Sequence, residues 1–311
     1  MVVEEAQAIP EPAMTLDEAE PRGPSDFELA MRELMRRPPA IFGLICVVIV
    51  VTLAVAPGLF SPLDPTDQDL ARYLKPPGFV DAANQTYWLG TDEQGRDILS
   101  RVIWGAQISL MVGIATVFLS GIIGVTLGLV AGYFGGIVDT IISRIIDTAL
   151  AVPFILLAIS VVAILGPSLR NIILVIALRT WIVYARVVRG AVLSIKENEY
   201  VTGARAVGCG TARIMLLYLL PNVMSAAIVI ATLYLGRMII IESALSFLGL
   251  GVPPPTPTWG GMLADGRSFL ETAYWLSLFP GIALMLTVLG VNLLGDWVRD
   301  ILDPRLKRMV D

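Results

Sequence analysis

Few residues of this 311-residue chain belong to types that ordinarily do chemistry, and those few are scattered. There is no histidine, which removes the usual base of nucleophilic catalysis and most zinc and haem ligation. Cys46 lies in an apolar run and Cys209 in a glycine-flanked polar segment, so they read as two inert thiols rather than a disulfide or a metal pair. The lysines are Lys75, Lys196 and Lys307, none of which follows a glycine. A phosphate-cradling loop that ends in lysine is therefore missing, and ATP hydrolysis by that route is excluded. Paired carboxylates would leave an intramembrane enzyme open, yet Glu242 is the only acid well inside an apolar run. The residue types predict no catalytic set and no metal site, and favour a conduit over a catalyst.

The elements that would carry such a conduit are legible in the composition. Hydrophobic residues make up 56% and charged residues 16%, with mean hydropathy +0.75, against about 25% charged in an ordinary soluble domain. Residues 1–28 hold eight acids and one base, so the net charge of −5 belongs to an acidic leader. A basic nucleic-acid footprint is absent. Residues 1–24 read as a disordered acidic tail without the basic start and apolar core of a signal peptide. Residues 25–37 open on the capping pattern Ser25-Asp26-Phe27-Glu28 and place Phe27, Met31, Leu34 and Met35 at helical spacing. That segment is either an amphipathic helix on the membrane surface or a plain lead-in to the first span.

Residues 38–60 predict a first transmembrane helix, long enough for a hydrocarbon core of about 30 Å. Residues 61–100, rich in aspartate, predict an extracytoplasmic segment, and Asp92, Arg96, Asp97 and Arg101 are placed to form a charge cluster that ties it to the second span. Residues 101–298 hold the remaining spans, near Ile108–Val130, Thr148–Leu169, Ile172–Val188, Asn222–Leu248 and Tyr274–Leu294, and 299–311 form a C-terminal tail. Gly124, Gly128 and Gly132 recur every fourth residue, a spacing that lets helices approach closely in lipid. Arg32, Arg36 and Arg37 fall on one side with Arg186, Arg189, Lys196, Arg205 and Arg213 when six crossings are counted. The positive-inside rule then puts both termini in the cytoplasm. The fold class is all-α, with six transmembrane helices.

The most informative polar stretch is 199–213, which closes at Leu220-Pro221-Asn222. It reads as two short helices bent at Gly208 and Gly210. Val201, Ala204 and Val207 form a small apolar stripe, suited either to the groove of a partner protein or to a helical hairpin resting on the membrane face.

This stretch resembles the EAA loop of binding-protein-dependent ABC importer permeases, with the family's glycine at Gly208 and its Leu-Pro at Leu220-Pro221. Thr202 and Gly203 depart from the pattern, standing where the family has Glu and its first Ala. Further stretches resemble the dipeptide/oligopeptide/nickel branch, of the C type: Leu89 to Arg101, Ala131-Gly132-Tyr133-Phe134-Gly135-Gly136, Tyr184 to Gly190, Ser246 to Gly251, Pro254 to Gly260, and Asn292 to Asp296 with Asp303-Pro304-Arg305. Together they run from about residue 38 to 308, leaving the tail 1–24 outside.

The resemblance implies a type I ABC importer transmembrane fold with coupling helices between the fourth and fifth spans. Glu199, Tyr200, Val201, Thr202, Gly203, Ala204, Val207 and Gly208 are the implied ATPase-coupling residues. The implied partners are a homologous second permease, two ATP-binding subunits, an extracytoplasmic solute-binding protein and the lipid bilayer. No cofactor is expected on this chain, with ATP and magnesium held by the partner subunits. Arg237 and Glu242 are costly in hydrocarbon, at roughly 2.5–3.5 kcal/mol each. Either they line the translocation path or its outer mouth, or they form an interhelical or subunit-interface ion pair. Pro255 and Trp259 lie in a proline-stiffened outer loop, read as a gate or binding-protein contact, or else as a rigid turn with an interfacial tryptophan. Arg179 departs from the family and receives no role. The implied activity is import of di- or oligopeptides across the cytoplasmic membrane by alternating access. The alternatives are import of nickel or another small solute by the same machinery, and, in another class, a stand-alone secondary transporter.

Overall fold

The computed structural model describes residues 26–302; the acidic leader, its junction at Ser25 and the end of the C-terminal tail lie outside them. Helix α1 (Asp26–Arg36) leads into α2 (Pro38–Val55) and the short α3 (Pro57–Phe60). On α1, Leu34 is buried while Met31 and Met35 stay exposed. The segment after α3 holds a two-stranded antiparallel ribbon, β1 (Phe79–Val80) with β2 (Thr86–Tyr87), in which Phe79 faces Tyr87. Then follow α4 (Ile98–Phe134), α5 (Gly136–Ala151), α6 (Phe154–Leu165) and α7 (Leu169–Ile195). After α7 come α8 (Glu199–Ala206), α9 (Thr211–Arg213), a π-helical turn (Ile214–Leu219), α10 (Leu220–Phe247), α11 (Trp259–Gly266) and α12 (Trp275–Leu302).

Among the described residues five helices are long and apolar enough to cross a membrane, or six if the bent pair α5–α6 counts as one span. The expected straight third span over Thr148–Leu169 is broken: α5 and α6 meet at 84° across Val152-Pro153. Pro153 has no N–H to give to the turn before it and pushes Val152 out of helical geometry. With 12 residues, α6 is about 18 Å long at 1.5 Å per residue, short of the roughly 30 Å of hydrocarbon.

The centre of the bundle is the packing of α4 on α7, and the glycine spacing explains it. A Cβ on Gly124 would lie 2.4 Å from Trp181 O, on Gly128 2.6 Å from Ala185 O, and on Gly132 2.7 Å from Val192 Cβ. The two backbones touch along three turns because nothing projects from these positions, which is how helices gain dispersion energy where no hydrophobic drive exists. Gly43 and Gly290 serve the α2–α12 contact in the same way, a Cβ on Gly43 falling 2.8 Å from Gly290 O. Lipid-facing residues of α2, among them Phe42, Ile45, Val48 and Ile49, are left exposed.

Arg37 donates to Asp300 of α12 and, at 2.8 Å, to Glu33. The end of α1 and the end of α12 are therefore on the same face of the bundle. Lys196 at the end of α7 donates to Gly132 O of α4 at 3.0 Å.

Candidate functional site

Two polar regions stand at opposite ends of the bundle. The first is built on α8. Asn198 precedes it, Glu199 sits in its first turn and Arg205 in its last, each sign opposing the end of the helix dipole that it faces. The helix stops in a Schellman motif: Cys209 N–H donates to Ala204 O at 3.0 Å, and Gly208 N–H to Arg205 O at 3.1 Å. Gly208 takes φ +84° there, a value that a side chain would strain. The sequence placed bends at both glycines, but Gly210 has φ −65°, open to any residue. No separate second helix forms. From Thr211 the chain runs on through the π turn into α10. Pro221 offers no N–H to the turn behind it, and Asn222 Nδ2 donates to Tyr218 O at 2.6 Å instead.

The apolar stripe on α8 is divided between two directions. Val201 is 0% exposed and Ala204 is buried; Val201 packs among Leu129 of α4, Val188 and Val192 of α7, and Ile214, Leu219 and Val223. Neither faces outward: α8 lies against the bundle and spends this face of the stripe on it. Tyr200, Thr202, Gly203, Val207 and Gly208 are exposed, Val207 at 81%. Further contacts fix α8 and the end of α7 to the α4–α5 corner. The Arg205 guanidinium lies 5.9 Å over the Tyr133 ring, and Arg189 NH2 donates to Asp139 of α5 at 2.6 Å.

At the opposite end, Glu242 of α10 is 0% exposed. Its carboxylate accepts from Ser246 Oγ at 2.8 Å, Ser109 Oγ of α4 at 3.2 Å and Ser243 Oγ at 3.3 Å. It pairs with no cation among the described residues, so an ion pair with Arg237 is absent. Arg237 points away, exposed, its guanidinium 5.4 Å over the Tyr234 ring. Trp259 is 1% exposed, donates its indole N–H to Val102 O at 2.9 Å, and lies where a Cβ on Gly105 would fall 2.9 Å from its ring. It anchors α11 to α4 and faces neither lipid nor open space. Pro255 is exposed on the rim of a cavity at this end of the bundle.

The Glu242 node carries a prediction. Glu242→Gln keeps an acceptor for the hydroxyls and lowers stability by about 1 kcal/mol. Glu242→Lys buries an uncompensated cation and prevents the subunit from accumulating. Thermal melting of the solubilised subunit and its level in membranes read the two.

The segment that precedes α4 is tied down beside this node by a charge cluster. Asp92 accepts from Arg96 Nε at 2.6 Å and from Arg101, whose NH2 is 3.6 Å from Asp265 of α11. Asp97, expected in the cluster, caps α4 instead, accepting from Ser100 N at 2.8 Å and Ser100 Oγ at 2.6 Å. Burial pushes the Glu93, Asp97 and Asp265 carboxyls above their ordinary values. Asp265 and Ser109 belong to these regions and carry no sequence signal; each meets a partner far along the chain. Arg179, half-buried on α7, has one terminal nitrogen without an acceptor among the described residues.

The described residues thus form a polytopic helical bundle with a short helix packed on one end and a charged cap at the other. Residues 124–308 match the family of binding-protein-dependent transport system inner membrane components, and residues 25–77 match the N-terminal transmembrane domain of oligopeptide transport permease C. The chain is 44% identical to the dipeptide transport system permease protein DppC of Haemophilus influenzae, over 86% of this chain and 91% of that one. It is 43% identical to the dipeptide transport system permease protein DppC of Alkalihalophilus pseudofirmus, over 96% of both. Against the Escherichia coli K12 protein of the same name, identity is 45%, over 88% of this chain and 91% of that one. An inward-facing structure of the MetNI methionine ABC transporter shares the fold, with TM-score 0.52 and 21% identity over 65% of this chain and 96% of that one. The chain belongs to the family of binding-protein-dependent transport system inner membrane components, and its fold is that of an ABC importer transmembrane subunit.

Proposed function

We propose that this chain is the peptide-translocating permease subunit of an ABC importer in the cytoplasmic membrane, with both termini and α8 on the cytoplasmic side. The relatives named for dipeptide transport support the substrate class. The positive-inside rule supports the orientation: Arg36, Arg37 and Arg299 lie at the α1–α12 end of the bundle, joined by the Arg37–Asp300 contact.

The observation that carries the mechanism is the two-sided mounting of α8. Its exposed face, Tyr200, Thr202, Gly203 and Val207, is the docking surface for an ATP-binding subunit, and Glu199 and Gly208 frame it. Its inner face, Val201 and Ala204, passes displacement to α4, α7 and α10 through the cluster at Leu129, Val188, Val192 and Val223. Close-packed interiors transmit strain rather than absorb it. ATP binding and hydrolysis, with magnesium, take place on two partner subunits. They shift the population between inward- and outward-facing arrangements of this chain and a homologous second permease. An extracytoplasmic solute-binding protein delivers the peptide, and this chain hydrolyses no nucleotide.

Reconstitution tests the reading. The chain is co-expressed with its sister permease, ATPase chains and binding protein, and the complex is placed in proteoliposomes. ATP-dependent accumulation of radiolabelled dialanine is expected, abolished when the binding protein is omitted. Accumulation of a nickel chelate but not of dialanine would move the substrate class. Solute movement by the isolated chain without nucleotide would replace the importer with a secondary transporter.

A further inference from the structure

A cavity of about 550 Å³ opens on the outer face among the Pro253–Pro255 loop, α11 and the cluster at the head of α4. That size is within the roughly 300–1,000 Å³ of small-molecule sites. Its charged lining is Arg96, Arg101, Asp265 and Arg267. Arg96 is spoken for, with Nε on Asp92 at 2.6 Å and NH2 on Glu93 at 3.4 Å. The other three have hydrogen-bonding capacity left over.

Arg101 has a side chain only 5% exposed, so its donors cannot turn to bulk water. One terminal nitrogen donates to Asp92, the other is a loose 3.6 Å from Asp265, and Nε has no acceptor among the described residues. A guanidinium carries five N–H donors, and a buried one left short of acceptors is expensive. Asp265, with its side chain 44% exposed, is the movable neighbour. Arg267 stacks 5.6 Å over the Phe247 ring, a posture that covers its face and leaves its N–H edge open, and it has no acid partner among the described residues. The rim thus offers one under-used buried cation, one free cation held flat and one mobile acid. Arginine N–H groups for a carboxylate and a single acid, Asp265, for an ammonium, meeting in a pocket that size, fit a small zwitterion.

We infer that this cavity receives the main chain of a short peptide on the outer side of the permease, the terminal carboxylate on Arg267 and the outer edge of Arg101 and the terminal ammonium on Asp265. The site rests on the peptide reading above and adds to it a substrate contact on the permease itself. Bidentate pairing of a guanidinium with a carboxylate supplies the orientation. The floor includes Ser246, whose hydroxyl donates to Glu242, so the occupied cavity borders the node that joins α4 to α10.

The test uses the permease–ATPase complex in nanodiscs without its binding protein, titrated with dialanine and followed by saturation-transfer NMR. Saturable binding is expected, weakened at least tenfold by C-terminal amidation and at least fivefold by Arg267→Gln. Asp265→Asn is expected to weaken dialanine but not N-acetyl-dialanine. Equal binding of the free and amidated peptides overturns the site, as does absence of saturable binding. Unchanged peptide binding in Arg267→Gln together with poorer capture of the purified binding protein also overturns it, by making the cavity a protein contact. Dialanine uptake by the wild-type complex is measured in parallel: uptake without carboxylate-dependent binding sinks this site alone, whereas absent uptake sinks the peptide reading itself.

Discussion

Val201→Asp abolishes ATP-dependent uptake while the complex still hydrolyses ATP or loses its ATPase chains altogether. Val201 is fully enclosed by Leu129, Val188, Val192, Ile214, Leu219 and Val223. A carboxylate placed there either ionises unpaired in an apolar surround or forces α8 off the bundle, at a cost of about 3–5 kcal/mol. The cheaper outcome is detachment of α8, since only Val201 and Ala204 hold its inner face. The contrast that gives the result meaning is Val207→Asp. At 81% exposure this change leaves the interior alone, and Val207 is the cap residue with φ −82°, which aspartate adopts freely. Its expected phenotype is a normally accumulating subunit that retains its sister permease and recovers at least tenfold less ATPase on purification. Vesicle uptake, ATPase rate and subunit stoichiometry of the two variants separate anchor from docking face. Wild-type uptake by Val201→Asp would break the proposed mechanical link.

The same helix shows how far sequence reasoning reaches. Val201 and Ala204, three apart, form the same apolar stripe whether it grips a partner or the chain's own bundle, because periodicity gives a face and not its neighbour. The apolar runs predicted the spans, since roughly twenty uncharged residues have few other uses. Pro153 stood in plain view within Thr148–Leu169. Its effect depended on whether neighbouring helices re-satisfied the backbone, and α5 and α6 turned by 84° instead. Asp92, Arg96 and Arg101 were readable as a cluster from local spacing. Asp265 was not, because it reaches Arg101 from α11, and nothing in a single sequence links residues that far apart. Glu242 was conspicuous as an acid in hydrocarbon. Its three serine donors were not, since serines 243 and 246 read as ordinary helix residues and Ser109 belongs to another span.

Gly128→Ala prevents stable assembly of the subunit, while Gly121→Ala on the same helix is neutral or slightly stabilising. Both add one methyl group to α4, and both exchange glycine for the best helix former, a gain of up to about 1 kcal/mol. They differ only in what the new atom meets. At Gly121 the nearest atom is Tyr184 Cε1 at 3.7 Å, an ordinary contact. At Gly128 the Cβ falls 2.6 Å from Ala185 O, 2.9 Å from Val188 Cβ and 3.1 Å from Ala185 Cα. Two of those atoms are backbone, so no rotamer change relieves the clash, and α7 must move away from α4. Overpacking of this kind costs about 1–3 kcal/mol at one site. Here the displacement also opens the neighbouring contacts of Gly124 with Trp181 and Gly132 with Val192, and strains the 3.0 Å bond from Lys196 to Gly132 O. The total exceeds a single-site value and falls on the same seam that positions Val188 and Val192 beneath α8. A drop of at least fivefold in membrane level, or a fall in melting temperature of the solubilised complex that Gly121→Ala does not show, is the expected readout. Equal behaviour of the two variants would mean that α4 and α7 are held apart from each other in the membrane.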